Sequence, residues 1–171
     1  MREELTVASP DDMRALGRRL AAMLRPGDLV VLNGALGTGK TTLVQGIGAG
    51  LGVRGPVTSP TFVIARVHPS LTGGPALVHA DAYRLASPAE VDDLDLDTSL
   101  ETSVTVVEWG GGLAEALAAD RLEVSIALAG PPPGPAGPGG APGGAGPDPE
   151  PRTVRLEGHG ARWNTAPVPR A

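Results

Sequence analysis

Asp28-Leu29-Val30-Val31-Leu32-Asn33-Gly34-Ala35-Leu36-Gly37-Thr38-Gly39-Lys40-Thr41-Thr42-Leu43-Val44-Gln45-Gly46-Ile47 is the stretch from which the architecture is read. It opens with a short apolar run of the kind that fills a parallel strand buried on both faces, and from Leu43 onward it carries one apolar helical face. Between the two, residues 34–41 fill the phosphate-binding pattern G-x-x-x-x-G-K-[ST] at every specified position. Glycines at 34, 37 and 39 let the backbone curl so that successive N–H groups face an anion, and the helix opening near Lys40 adds the positive end of its dipole. Strand, glycine loop and helix in that order predict an α/β chain of the P-loop NTPase fold, with a central, mostly parallel sheet flanked by helices.

Lys40 is the only lysine among fourteen lysines and arginines. A compact ammonium fits between the β- and γ-phosphates of a nucleotide, where a planar guanidinium does not. The Thr41 hydroxyl, one residue on, is placed to take a Mg²⁺ that bridges the same phosphates. Gly34, Leu36, Gly37, Thr38, Gly39 and Thr42 complete the expected cradle. The chain has no N-K-x-D element to read guanine, and its only asparagines are Asn33 and Asn164. ATP is therefore expected rather than GTP.

Composition narrows the possible functions. The 171 residues predict one domain over residues 1–171. There is no cysteine, which excludes a disulfide framework and a thiolate metal site. His68, His79 and His159 lie far apart without ligand spacing and read as ordinary polar or surface histidines. No apolar stretch approaches the ~18 residues a bilayer span needs, and Met1-Arg2-Glu3-Glu4-Leu5 has no signal-peptide core, so a soluble, cytoplasmic protein without membrane contact is expected. The formal net charge is −5, with no basic cluster larger than Arg18-Arg19. Direct, tight binding of DNA or RNA is not expected, because such binding relies on a basic face that displaces counterions.

Along the chain, Ser9-Pro10-Asp11-Asp12 reads as a helix start, with Met13, Leu16, Leu20 and Leu24 at helical spacing and Pro26-Gly27 as the stop. Val57–Val67 reads as a loop running into a strand, and further strands are expected over Ala76–Ala80, Val104–Val107 and Leu122–Leu128, and from Arg152 to Glu157. Ser87-Pro88-Ala89-Glu90 reads as a capping box, and a helix is expected from Leu113 to Ala119. Residues 130–151 are Gly or Pro at 17 of 22 positions. Such a segment buries too little to offset its ordering entropy, so it reads as a disordered insertion in a C-terminal antiparallel hairpin.

Asp81 and Glu108 each end an apolar run, so both are expected at the sheet edge where Gly34 emerges, as metal-shell or water-orienting acids. The acids Asp92, Asp93, Asp95 and Asp97 lack the glycine and closing glutamate of a calcium loop and read as a solvated surface. Thr61 lies in the loop after the phosphate-loop helix, a place suited to sensing the γ-phosphate. Trp109 has two readings, beside the nucleotide or in the core.

Gly34 to Thr42, Ser59-Pro60-Thr61-Phe62, His79-Ala80-Asp81-Ala82-Tyr83-Arg84-Leu85 and Val107-Glu108-Trp109, taken in this order and spacing, resemble the TsaE (YjeE) family of small bacterial ATPases. The likeness spans about residues 5 to 129 and resumes near Arg152. It implies ATP phosphates on Lys40 and the backbone of Gly37 to Thr42, and Mg²⁺ on Thr41 and Glu108. Asp81 would assist catalysis or the metal, Thr61 would face the γ-phosphate, and Ser9, Trp109 and Arg152 would border the nucleotide. It also implies two partners, TsaB-like and TsaD-like proteins, the latter transferring threonylcarbamoyl to the adenosine beside a tRNA anticodon. On that reading tRNA is met only indirectly. Ala35, Met13 and Gly110 depart from the family pattern at positions usually acidic, polar, and proline or acid. A small-molecule kinase and a non-catalytic nucleotide-switched module stand as alternatives; against the kinase, no arginine-rich lid is visible beyond the isolated Arg66 and Arg84.

Deleting residues 131–147 is expected to leave ATP hydrolysis near the wild-type rate, as measured by phosphate release, because the segment has no core contacts to lose. A large loss of activity would show that the insertion is functional.

Overall fold

The structure, a computed structural model, describes residues 1–59, 65–82, 101–109, 118–129 and 150–164. Thr61, the capping box at Ser87, the acids Asp92 to Asp97, most of the helix expected from Leu113, and residues 130–149 of the Gly/Pro segment lie outside them. The described elements are β1 (Arg2–Val7), α1 (Pro10–Ala21), β2 (Leu29–Asn33), α2 (Lys40–Leu51), β3 (Ala65–His68), β4 (Ala76–Asp81), β5 (Ser103–Glu108), β6 (Arg121–Leu128), β7 (Arg152–His159) and α3 (Ala161–Asn164). All seven strands join one sheet in the order β1-β7-β6-β2-β5-β4-β3.

Parallel pairing is confined to the centre, where β2 lies between β5 and β6, and β4 lies beside β5. At the margins β1 pairs with β7, β7 with β6, and β3 with β4, all antiparallel. The sheet is therefore mixed rather than mostly parallel. β1 was not expected: Arg2-Glu3-Glu4 masks an alternation in which Leu5 and Val7 turn inward, and pairing with β7 makes it an edge strand. Its charged outer positions guard that edge against further pairing.

The central strands are buried on both faces, as β5 shows along its whole length. Val30, Leu32, Leu77, Val104, Val106, Leu122 and Val124 pack on one face with α1 and α2, whereas Leu29, Val31, Ala80 and Val107 form a smaller cluster on the other. Trp163 of α3 closes the larger core with no exposed surface. Arg162 beside it clasps the buried Asp28 through Nε (3.1 Å) and Nη2 (3.0 Å), and also donates to the Met23 carbonyl. α3 is thus tied to the residue that precedes β2. No helix among the described residues is long and apolar enough to cross a membrane.

α1 begins as the sequence predicts. The Ser9 hydroxyl accepts from Asp12 N at 3.1 Å and donates to the Asp12 carboxylate at 2.7 Å, with Pro10 opening the first turn. α2 is glycine-rich because α1 crosses it backbone to backbone. A Cβ on Gly46 would sit 2.3 Å from the Arg14 carbonyl oxygen, and one on Gly17 would sit 2.4 Å from that of Leu43. Gly46→Ala is therefore expected to destabilise the protein despite the ~1 kcal/mol that alanine gains in helix propensity. The helices must separate, at a net cost of about 2 kcal/mol, read from the urea midpoint. An unchanged or raised midpoint would contradict this packing.

Candidate functional site

The site grows from the carboxyl end of β2. After Asn33 the chain passes through Gly34 at φ 154°, where a Cβ would lie 2.5 Å from the Ile126 carbonyl oxygen of β6. Only glycine lets the loop cross the strand so closely. Gly39 at φ 105° caps α2 without any side-chain hydrogen bond, so the first-turn N–H groups receive no internal cap. The Thr38 hydroxyl donates to the Ala35 carbonyl at 2.9 Å and stiffens the turn, while Leu36 stands at its tip, 91% exposed.

Lys40 is only 5% exposed. Its Nζ donates to the carbonyls of Gly34 (2.8 Å) and Ala35 (3.0 Å) and lies 3.9 Å from the centroid of the Trp109 ring. Burial pushes the ammonium below the ordinary lysine value, opposed by the negative charges of Glu108 and Asp81. Ala35, lacking an acidic side chain, contributes through its backbone.

Strand parity and register assemble the acids. Leu77, His79 and Asp81 on β4, and Val104, Val106 and Glu108 on β5, alternate onto the face that carries α2. Asp81 is the Cα partner of Glu108, and Glu108 that of Leu32 at the end of β2. Both acids therefore stand level with the glycine loop. The Thr41 hydroxyl donates to Glu108 Oε1 at 3.1 Å, and His79 Nε2 meets the same oxygen at 2.9 Å. Trp109 follows at φ 61°, an uncommon backbone for an aromatic residue, held by its N–H on the Leu32 carbonyl at 2.9 Å and by its ring over Lys40. Trp109 is half-buried at the edge of the loop and is not among the core residues.

Two hollows flank the loop and share Gly37, Gly39 and Thr42. The larger, about 590 Å³, is lined by Lys40, Thr41, Asp81, Glu108, Trp109 and Ser59, among others. The smaller, about 110 Å³, lies between the start of α1 and β7, lined by Ser9, Met13, Thr38, Glu150 and Arg152. The structure thus gathers Leu36, Lys40, Thr41, both acids and Trp109 at the larger hollow and Ser9, Thr38 and Arg152 at the smaller, while Gly34 lines neither. Thr61 lies outside the described residues.

The donor set fits the groups named from the sequence. A hydroxyl and two carboxylates are hard oxygen ligands suited to Mg²⁺, and the uncapped N–H groups with the lysine suit a polyphosphate. Sequence reasoning missed His79, which is fully buried rather than ordinary surface, and His68 is 5% exposed on β3. The signal for His79 was its spacing: residues 79 and 81 share a strand face, so a histidine two before a site acid points into the same neighbourhood. His159 remains partly exposed and meets Glu123 at 3.4 Å.

Known proteins are similar to this chain in sequence and in architecture. A family model described as "Threonylcarbamoyl adenosine biosynthesis protein TsaE" matches residues 7–130. A Streptomyces coelicolor protein named tRNA threonylcarbamoyladenosine biosynthesis protein TsaE is 58% identical over 157 residues, 91% of this chain and 97% of its own length. A Bacillus subtilis protein of that name is 38% identical over 71% of this chain and 75% of its own. The crystal structure of Bacillus subtilis YdiB superposes with a TM-score of 0.71 at 27% identity, covering 95% of this chain and 89% of that one. With the model matched over most of its length and the Streptomyces relative over nearly all of it, the chain belongs to the TsaE family.

Proposed function

We propose that this protein has a P-loop NTPase fold and is a slow, magnesium-dependent ATPase in the cytoplasm. In this reading it drives threonylcarbamoyladenosine formation on tRNA through a complex of TsaB-like and TsaD-like proteins. The observation that carries the proposal is the convergence of Lys40, Thr41, Asp81 and Glu108 on one hollow at the end of β2. The net charge of −5 agrees with a protein that reaches tRNA through partners.

The residues divide the work. Backbone N–H groups of the loop and of the first turn of α2 bind the polyphosphate, with the smaller hollow bordered by Ser9 and Arg152 taking the nucleoside end. Lys40 exchanges its bonds to the Gly34 and Ala35 carbonyls for phosphate oxygens, and the arriving negative charge reverses the effect of burial and keeps it an ammonium. Thr41 and Glu108, already hydrogen-bonded, would hold the magnesium with Asp81 alongside. When bound, that ion neutralises charge building on the phosphates. Asp81, level with Glu108, orients the attacking water, and Thr61, which lies outside the described residues, is assigned from the sequence to the γ-phosphate. Trp109, packed on Lys40, screens the ammonium from solvent.

Phosphate release from Mg-ATP, measured with and without the purified TsaB-like and TsaD-like partners, tests the proposal. Turnover alone is expected well below ~1 s⁻¹, with stimulation of about tenfold or more by the partners. Tight nucleotide binding without release in either case would indicate a nucleotide-switched module instead, and phosphate appearing on a small molecule would indicate a kinase.

Lys40→Ala is expected to weaken ATP binding by about 100-fold in calorimetry, as befits several lost charge-assisted bonds. It also removes the donor to two loop carbonyls, so a modest fall in melting temperature is expected with it. Unchanged nucleotide affinity in a folded variant would overturn the assignment.

A further inference from the structure

His79 has no surface exposed, yet it sits on the sheet face that meets the start of α2, and it does not border the larger hollow directly. Its Nε2 lies 2.9 Å from Glu108 Oε1, the same oxygen that accepts the Thr41 hydroxyl at 3.1 Å. A carboxylate only accepts hydrogen bonds, so the imidazole must present its proton on Nε2 to use that contact. The far nitrogen, Nδ1, is buried with no hydrogen-bond partner among the described residues. A proton there would be an unpaired buried donor, whereas a bare lone pair is the less costly choice. Both ends of the ring therefore agree on one tautomer, aimed at Glu108.

The strand geometry allows little else. His79 pairs with Val106 in the parallel register, so its side chain reaches diagonally to Glu108, two residues further along β5 on the same face. Oε1 lies between Thr41 and His79, so any rotation that moves this oxygen away breaks at least one of the two bonds.

We infer that His79 is a positioning residue for Glu108, holding the carboxylate in the orientation that, with Thr41, receives a divalent cation. This rests on the magnesium–nucleotide reading given above. Hydrogen bonds to a metal-binding carboxylate or imidazole from residues behind it commonly set affinity by about 10- to 100-fold. A histidine present merely to fill the core would affect folding alone.

Three variants of the full chain separate the two roles. His79→Gln places an amide N–H near the position of Nε2 and keeps a donor within reach of Glu108. His79→Leu fills similar volume without a donor, and His79→Asn keeps polarity but is too short to reach. The probes are Mn²⁺ binding in the presence of ADP, followed by electron paramagnetic resonance, and ADP binding in the presence of EDTA, followed by calorimetry. Leu and Asn are expected to weaken Mn²⁺ binding by about 10- to 100-fold while leaving metal-free ADP affinity within about threefold, and Gln is expected to recover most of the metal affinity.

Wild-type Mn²⁺ affinity in the Asn or Leu variant would overturn the inference while leaving the proposed function standing. Equal losses of metal-dependent and metal-free binding would overturn it as well, since they would mark a general collapse of the site. If the unsubstituted protein itself bound ADP without any contribution from Mn²⁺, the magnesium reading would fail and this inference with it.

Discussion

The Lys40 ammonium holds the carbonyls of Gly34 and Ala35, and the shape of the loop depends on that pair of bonds. A buried charge is costly unless paired, and here the compensation comes from two carbonyl oxygens, the face of Trp109, and the negative charges of Glu108 and Asp81. These partners come from four different places in the chain: the loop itself, the end of β5, the residue after it, and the end of β4. The lysine thus acts as a strut while the loop waits for an anion. On the proposed function, exchanging these carbonyl bonds for phosphate oxygens would require little rearrangement, which is how a preorganised site keeps its binding energy.

The second constraint is the placement of α2. Its start has no side-chain cap and its body carries glycines at 46, 48 and 50, so intrinsic propensity does little to hold it. Its stability comes from close contact with α1 at Gly17 and Gly46 and from burial of Leu43, Val44 and Ile47 against the sheet. A helix fixed by its middle can leave its first turn open to a ligand. The same packing sets Thr41 within hydrogen-bonding distance of Glu108 on a strand 67 residues away in sequence.

Much of this was legible before any coordinates. The order of β2, the loop and α2 follows from local pattern, as do the Ser9 cap and the positions of Asp81 and Glu108 at strand ends. The failures have physical causes. β1 escaped notice because its charges obscure a two-residue alternation that matters only when β7 lies alongside. The sheet was read as mostly parallel because central strands advertise themselves by continuous apolar runs, whereas edge strands, half exposed, do not. The burial of Lys40 is not legible in the sequence, because a charged residue in a glycine loop gives no sign that backbone carbonyls will enclose it.

By itself the sequence determined that a glycine loop of the G-x-x-x-x-G-K-[ST] pattern follows a buried strand, since the glycine, lysine and threonine requirements are met within eight consecutive residues. It also determined which acids end neighbouring apolar runs. Only the tertiary structure decided that His79 stands behind Glu108, that Trp109 lies over Lys40, and that Gly46 lets two helix backbones touch. Those relations link residues far apart in the chain, and the register of parallel strands and the crossing of helices that bring them together are set by packing across the whole sheet, which no local pattern encodes.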